Sequence, residues 1–164
     1  MKRITFISLI IGVLLLQGCS ILTESRAERE ARIERETQMV LDGINSGDFK
    51  IDIERMMPLR GSSRHVNGFS IKVKDGRIVS NLPYFGRAWD LPYGGGHGLT
   101  FEADIDDYAV FTGEGGSYTI RMLIKTDEDT HVYTLQIYVD GNSYLLVQSK
   151  NREPINYIGN FSFR

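Results

Sequence analysis

Phe69-Ser70-Ile71-Lys72-Val73-Lys74-Asp75-Gly76-Arg77-Ile78-Val79-Ser80-Asn81-Leu82 decides the fold. Apolar and polar residues alternate on both sides of Asp75-Gly76, and a period of two marks a strand with one buried face. Asp-Gly accepts the positive φ angles of a tight hairpin turn. With that dipeptide at the turn's two central positions, Val73 pairs with Ile78, Ile71 with Ser80 and Phe69 with Leu82, which puts the apolar side chains on one face. Lys74 and Arg77 then meet on the other face, and a like-charge pair there calls for solvent.

The same alternation recurs on either side of this hairpin. Phe49, Ile51 and Ile53 alternate with Lys50, Asp52 and Glu54. Further strands are predicted at about 99–105, 107–112, 117–126, 131–139, 143–149 and 155–163. Asp140-Gly141-Asn142 fits a loop of either two or three residues, and the two choices place different pairs opposite each other. Hairpin-like turns join these segments with no crossover helix between them, which excludes a parallel α/β sheet. The fold expected is mainly β: an antiparallel meander of about eight or nine strands forming a curved sheet, barrel or sandwich, preceded by one N-terminal α-helix. A barrel could hold a small ligand if its own side chains left the interior open.

That helix is predicted from Thr23 to about Asn45, a stretch rich in Glu and Arg with no Gly or Pro before Gly43. Glu28 and Arg32 form a favourable i,i+4 pair. A sparse apolar stripe of Ile33, Val40, Leu41 and Ile44, with Met39 at its edge, suggests that the second half docks on the body. Asn45-Ser46-Gly47 supplies a stop. A fully helical stretch of this length reaches roughly 34 Å at about 1.5 Å per residue, which makes it a spacer.

Ahead of the helix, Lys2 and Arg3 precede a mostly apolar run from Ile4 to Leu16, 13 residues long. A helix needs roughly 20 apolar residues to span a bilayer, so the run reads as a signal peptide. Leu16-Gln17-Gly18-Cys19 resembles a bacterial lipobox, which implies cleavage before Cys19 and lipidation of that cysteine. Two or more acyl chains make a firm anchor, since each buried CH₂ contributes about 0.8 kcal/mol. Ser20 after the cysteine resembles the non-acidic residue of Gram-negative lipoproteins sent to the outer membrane, and a periplasm-facing attachment is expected. The organisation is therefore a signal peptide at 1–18, a lipid-anchored tether and charged helix at 19–46, and an antiparallel β domain at 47–164.

Composition narrows the function classes. The 164 residues are 41% hydrophobic and 24% charged, with a formal net charge of -2 and one cysteine, which excludes an intrachain disulfide. Cleavage removes Lys2 and Arg3 and no acid, so the mature chain carries -4. Its arginines are scattered among acids, with no basic face of the kind that neutralises a nucleic-acid backbone.

Leu82 to Leu99 is where chemistry concentrates. It carries the only tryptophan and a triple glycine ahead of a histidine. Tyr84, Trp89 and Tyr93 offer flat apolar faces with polar tips, Arg87 can grip a carboxylate with two parallel hydrogen bonds, and Asp90 and His97 add titratable groups. These six residues are the candidate ligand site. The alternative is a long connection pinned by its aromatics, with Arg87 paired to Asp90 or another acid. The glycines form no phosphate cradle, because no Gly-Lys-Ser/Thr follows. No cofactor is expected.

Leu82-Pro83-Tyr84-Phe85-Gly86-Arg87-Ala88, Pro92-Tyr93-Gly94-Gly95-Gly96 and Gly98-Leu99-Thr100-Phe101 resemble segments of the uncharacterised Bacteroidetes lipoproteins known as domain of unknown function 4251. The charged helix before Gly47 adds to the likeness, as does Ser149-Lys150-Asn151-Arg152-Glu153-Pro154-Ile155 with Tyr157 and Gly159. It covers roughly 26–164 and implies a small β-rich lipoprotein domain. The family has no assigned reaction, so no catalytic residue carries over.

Other constellations are weaker. His65, His97 and His131 lack metal-ligand spacing and read as solvated or core-edge residues, so no metal is expected. Asp104, Asp106 and Asp107, and Asp127, Glu128 and Asp129, lack the spacing of a calcium loop and read as solvated turns. No Gly-x-Ser-x-Gly elbow is present.

The sequence therefore favours a non-enzymatic binding or interaction module on the cell envelope. It would be held by lipid on Cys19 and take a small molecule, a peptide or an envelope protein as partner. The alternatives are a hydrolase using His97 with a nearby carboxylate such as Asp90, and a purely structural envelope component. Cys19→Ser should abolish lipid labelling and leave the precursor uncleaved; metabolic labelling with palmitate checks this, and normal membrane retention of the variant contradicts it.

Overall fold

The computed structural model describes residues 25–90, 97–113 and 116–162. One helix, α1 (Arg26–Ser46), is followed by eight strands: β1 (Phe49–Pro58), β2 (Arg64–Lys74), β3 (Arg77–Leu82), β4 (Leu99–Thr112), β5 (Tyr118–Lys125), β6 (Thr130–Ile137), β7 (Asn142–Ser149) and β8 (Ile155–Ser162). The chain divides into two compact units between Arg32 and Ile33.

In the first unit the helix begins one step after Ser25. The Glu28 amide donates to Ser25 Oγ at 3.2 Å and the Ser25 amide donates to Glu28 Oε2 at 2.9 Å, a reciprocal capping box. Those bonds hold the Glu28 carboxyl below its ordinary pKa. The helix start predicted at Thr23 moves to Arg26 for this reason.

In the second unit the end of α1 packs against the strands through Val40 and Ile44, both buried. Ile33 and Met39 are exposed, so the apolar stripe expected from Ile33 narrows to the i,i+4 pair of Val40 and Ile44 with the half-buried Leu41 beside it. Gly43 permits the approach, since a Cβ there would stand 2.7 Å from the Phe161 ring. The stop falls where predicted. Gly47, at φ 64°, donates to the Ile44 carbonyl and Asp48 donates to that of Gly43, a Schellman end.

The strands form a closed antiparallel barrel in sequence order, with β8 returning to pair with β1. The Asp75-Gly76 turn has positive φ at both positions. The ladder runs Lys74↔Arg77, Val73↔Ile78, Ile71↔Ser80 and Ser70↔Asn81, as read from the sequence up to that pair. The other open hairpin is a three-residue loop: Tyr138 N–H donates to the Asn142 carbonyl, Gly141 N–H donates to that of Tyr138, and Ile137 faces Ser143.

The strand count is the lower of the two expected, eight, because 99–105 and 107–112 are one strand. Asp106 is a bulge between Ile105 and Asp107, where the β5 register shifts. Its carboxylate accepts the Lys125 amide at 2.9 Å, so the acidic run that looked like a turn is a kink within β4.

Alternate residues fill the interior. Ile51, Met56, Ile71, Ile78, Ile120, Met122, Ile124, Tyr133, Leu135, Ile137 and Tyr157 are fully buried. The Tyr133 hydroxyl meets Ser80 Oγ at 2.9 Å, and Ser80 donates to the Leu99 carbonyl at 2.7 Å. Burial raises the Tyr133 and Tyr157 phenols well above their ordinary pKa. An eight-stranded barrel is just wide enough to be filled by its own side chains, and this one is. The interior route for a ligand is thereby closed.

At the closing seam Gly159 faces Ile53 of β1 and Ser143 of β7. A Cβ at 159 would run into the backbone carbonyl of Asp52, which no side-chain rotation relieves. Gly159→Ala should therefore destabilise the domain by roughly 1–3 kcal/mol, the usual cost of overpacking. Urea denaturation followed by circular dichroism reads this as a lower midpoint at unchanged slope.

Candidate functional site

The connection between β3 and β4 is fastened to the turn between β7 and β8. Ala88 forms a β-bridge with Arg152, the Trp89 amide donates to the Asn151 carbonyl at 2.9 Å, and the Glu153 amide donates to that of Arg87 at 2.9 Å. The Tyr84 hydroxyl lies 2.8 Å from the Arg87 carbonyl and 3.1 Å from that of Glu153, sharing its one proton between them. Tyr157 donates to the Pro83 carbonyl at 2.7 Å. Burial, ahead of these contacts, raises the Tyr84 phenol above its ordinary value. Residues 83–90 are thus held by main-chain bonds and by the hydroxyls of Tyr84 and Tyr157.

Charge gathers behind this backbone. Arg152, 5% exposed, stands 3.5 Å from Glu128 and 3.7 Å from Asp129, with its guanidinium 5.7 Å from the Tyr84 ring centroid. Asp129 is buried and accepts the Thr130 amide at 2.7 Å and the Asn151 amide at 3.2 Å. The reading of Asp129 as part of a solvated turn is corrected: its carboxylate ties the β5–β6 turn to the segment after β7. Glu153 is also buried, accepts the Arg87 amide at 3.3 Å and stands 3.5 Å from Arg60. None of these four residues was proposed for the site from sequence. Asn151-Arg152-Glu153 stood out there only as part of a family likeness, because the partners are far apart in the chain.

The residues singled out from sequence divide. Tyr84 is a half-buried anchor, and Arg87 is exposed and bonded through its backbone. Trp89 is 66% exposed and Asp90 is exposed. The carboxylate beside His97 is Glu128, at 2.9 Å from Nδ1, and not Asp90, the example named from the sequence. The His97 side chain is 86% exposed, so this pair is open to solvent at the rim of a groove. The histidine holds the Glu128 carboxyl below its ordinary pKa. Tyr93 and Cys19 lie outside the described residues. Among the described residues no group of three His, Cys, Asp or Glu side chains is placed to hold a metal ion.

Phe85 is 55% exposed with the Arg64 guanidinium 5.1 Å from its ring centroid, and Leu59 is 60% exposed beside Arg60. This end of the barrel therefore presents Leu59, Phe85 and Trp89 among arginines. Beside it lies a groove of about 470 Å³ lined by Tyr84, Gly86, Ala88, His97, Leu99 and Arg152, among others.

His131, read from sequence as solvated or core-edge, is buried, stacks on Phe101 at 4.9 Å and meets Ser149 Oγ at 2.8 Å from Nδ1. Burial lowers its pKa below 6.5; Arg152 adds to this, while Asp129 and Glu128 oppose it. Below pH 6.5 the unfolded chain then binds a proton the folded one resists, so stability falls on acidification from that pH through the folded value. Melting temperatures measured from pH 7.5 to 5 should drop, and His131→Gln should flatten the slope over the upper part of that range.

No curated protein matches the chain. A crystal structure of a DUF4251 family protein from Bacteroides eggerthii DSM 20697 superposes with a TM-score of 0.60 at 16% identity, covering 77% of this chain and 87% of that one, and this likeness carries the fold alone. The family model for the domain of unknown function DUF4251 matches residues 31–161, from the docked half of α1 to the end of the barrel. The chain belongs to the DUF4251 family.

Proposed function

We propose that this is a lipid-anchored cell-envelope protein, attached through Cys19 at the periplasmic face of an outer membrane, whose barrel is a non-enzymatic interaction module. The leader and Cys19 support the anchoring. The observation that carries the binding function is the state of residues 83–90. Their backbone is fixed by hydrogen bonds and Tyr84 is turned inward, yet Phe85 and Trp89 stand in solvent. A connection serving the fold alone would bury its aromatics, since each large ring buries about 150–250 Å² of surface. Holding them exposed on a rigid frame removes most of the ordering cost of binding.

With the interior filled, the partner meets the barrel end from outside, across Leu59, Phe85 and Trp89 and the flanking Arg60, Arg64 and Arg87. A flat aromatic and arginine surface of this kind suits a macromolecular partner, where such residues carry most of the binding energy. The polarity of the barrel argues against the wall itself entering a bilayer. Its outward positions include Lys50, Asp52, Lys72 and Glu102 and its inward ones are apolar, the reverse of a membrane barrel.

The test is photo-crosslinking in cells. A benzophenone amino acid at Trp89 should give a discrete adduct, and the same group at Val79, exposed on the wall away from this end, should not. Equal adducts from both positions, or none from position 89 in a correctly localised protein, would remove the proposal.

A further inference from the structure

β4 is longer than its partners, with 14 residues against six in β3 and eight in β5. β3 pairs with Leu99–Asp104 and β5 pairs only from Ile105 onward. Along its first half β4 therefore has a neighbour on one side only, among the described residues. The backbone parity there is set by Ile105, whose N–H donates to Gly76 at 2.9 Å and so points toward β3. Odd positions then bond to β3, and Thr100, Glu102 and Asp104 turn their amides and carbonyls away from it. Thr100 spends its N–H on the His97 carbonyl at 3.1 Å, on that outer side. Glu102 holds a donor and an acceptor at the open edge.

The side chains agree. Inward residues on the other strands are mostly buried to within a few percent, whereas Phe101 and Ala103 are only partly covered. Between this edge and the β5–β6 turn lies an open notch of about 800 Å³. It is closed at one end by the His97–Glu128 pair and at the other by Lys125–Asp106. Its length, six residues of β4, is about 20 Å at 3.4 Å per residue.

Its charge is one-sided. The carboxylates of Glu102, Asp104, Asp106, Asp127 and Glu128 line it. Its two full cations, Arg77 and Lys125, are already paired with Glu102, Asp104 and Asp106.

We propose that the first half of β4 is a strand-addition site for an extended basic peptide segment. The added strand takes the Glu102 amide and carbonyl into a ladder, lays small or apolar residues over Phe101 and Ala103, and sets Lys or Arg among the carboxylates. This completes the wall between β4 and the β5–β6 turn. The site adjoins the groove of the barrel end at His97 but differs from that arginine-rich end in charge.

The experiment uses the full mature protein in detergent and three blocked hexapeptides: alternating lysine and valine, alternating glutamate and valine, and the lysine form N-methylated at alternate residues. Fluorescence anisotropy should show the lysine peptide binding at least tenfold tighter than either other. It should also slow hydrogen exchange at Glu102. Glu102→Pro removes no main-chain bond to β3, only the exposed ion pair to Arg77, and should keep the circular dichroism while binding at least tenfold more weakly. If that variant unfolds, Glu102→Lys combined with Asp104→Lys should reverse the preference toward the glutamate peptide. Four results would overturn the proposal: equal binding of both charge types, unchanged binding by a folded Glu102→Pro variant, protection confined to other residues, or a dimer that protects Glu102 without peptide.

Discussion

β8 lies against β1 because residue 159 has no Cβ where the Asp52 carbonyl passes, and that one close approach closes the barrel. Closure removes the two terminal edges of the meander and turns a row of alternating residues into an interior. Ile51 and Ile53 on one side of the seam and Ile155, Tyr157 and Phe161 on the other are covered only because the ladder between them forms. The number of strands then sets the width, and at eight the side chains meet in the middle. The solid centre follows from the same pairing, and with it the placement of the proposed recognition on the outside.

Closure leaves its irregularity in β4. This strand changes partner at Asp106, pairing with β3 before the bulge and with β5 after it. Among the described residues each half thus has one side without a ladder. The later half lies near the end of α1, where the Tyr108 hydroxyl reaches the Ile44 carbonyl at 3.4 Å and burial pushes that phenol up to about 12. The earlier half has the notch. The docked helix end and the open edge are therefore two consequences of one strand outrunning its neighbours.

What could be read from the chain was local. The 69–82 hairpin carried its own register in the alternation around Asp75-Gly76, and Gly47 marked the helix end through its positive φ. The Ser25-x-x-Glu28 cap was equally local and went unread, which moved the helix start. The continuity of β4 could not be read, since Asp106-Asp107 has the composition of a turn, whereas in the fold Asp106 is a bulge whose carboxylate takes the Lys125 amide across the sheet. Within Leu82 to Leu99 the exposed arginine, Arg87, bonds through its backbone. The buried arginine is Arg152, and nothing within five residues of it foretells that Glu128, Asp129 and Tyr84 will surround it.

The charge pattern also bears on how the domain meets its surroundings. A mature chain at -4 is repelled by anionic headgroups, and a wall with charged outward positions does not insert, so on the proposed anchoring the lipid alone holds the protein at the membrane. The barrel then bears none of that load. Its arginine-rich end and its acidic notch differ in sign and in the part of the residue they present. Exposed rings at the first select by shape and packing, while main-chain groups at the second accept any extended segment and leave the choice to charge. A single small domain can in this way hold two partners of opposite charge without their competing for one surface.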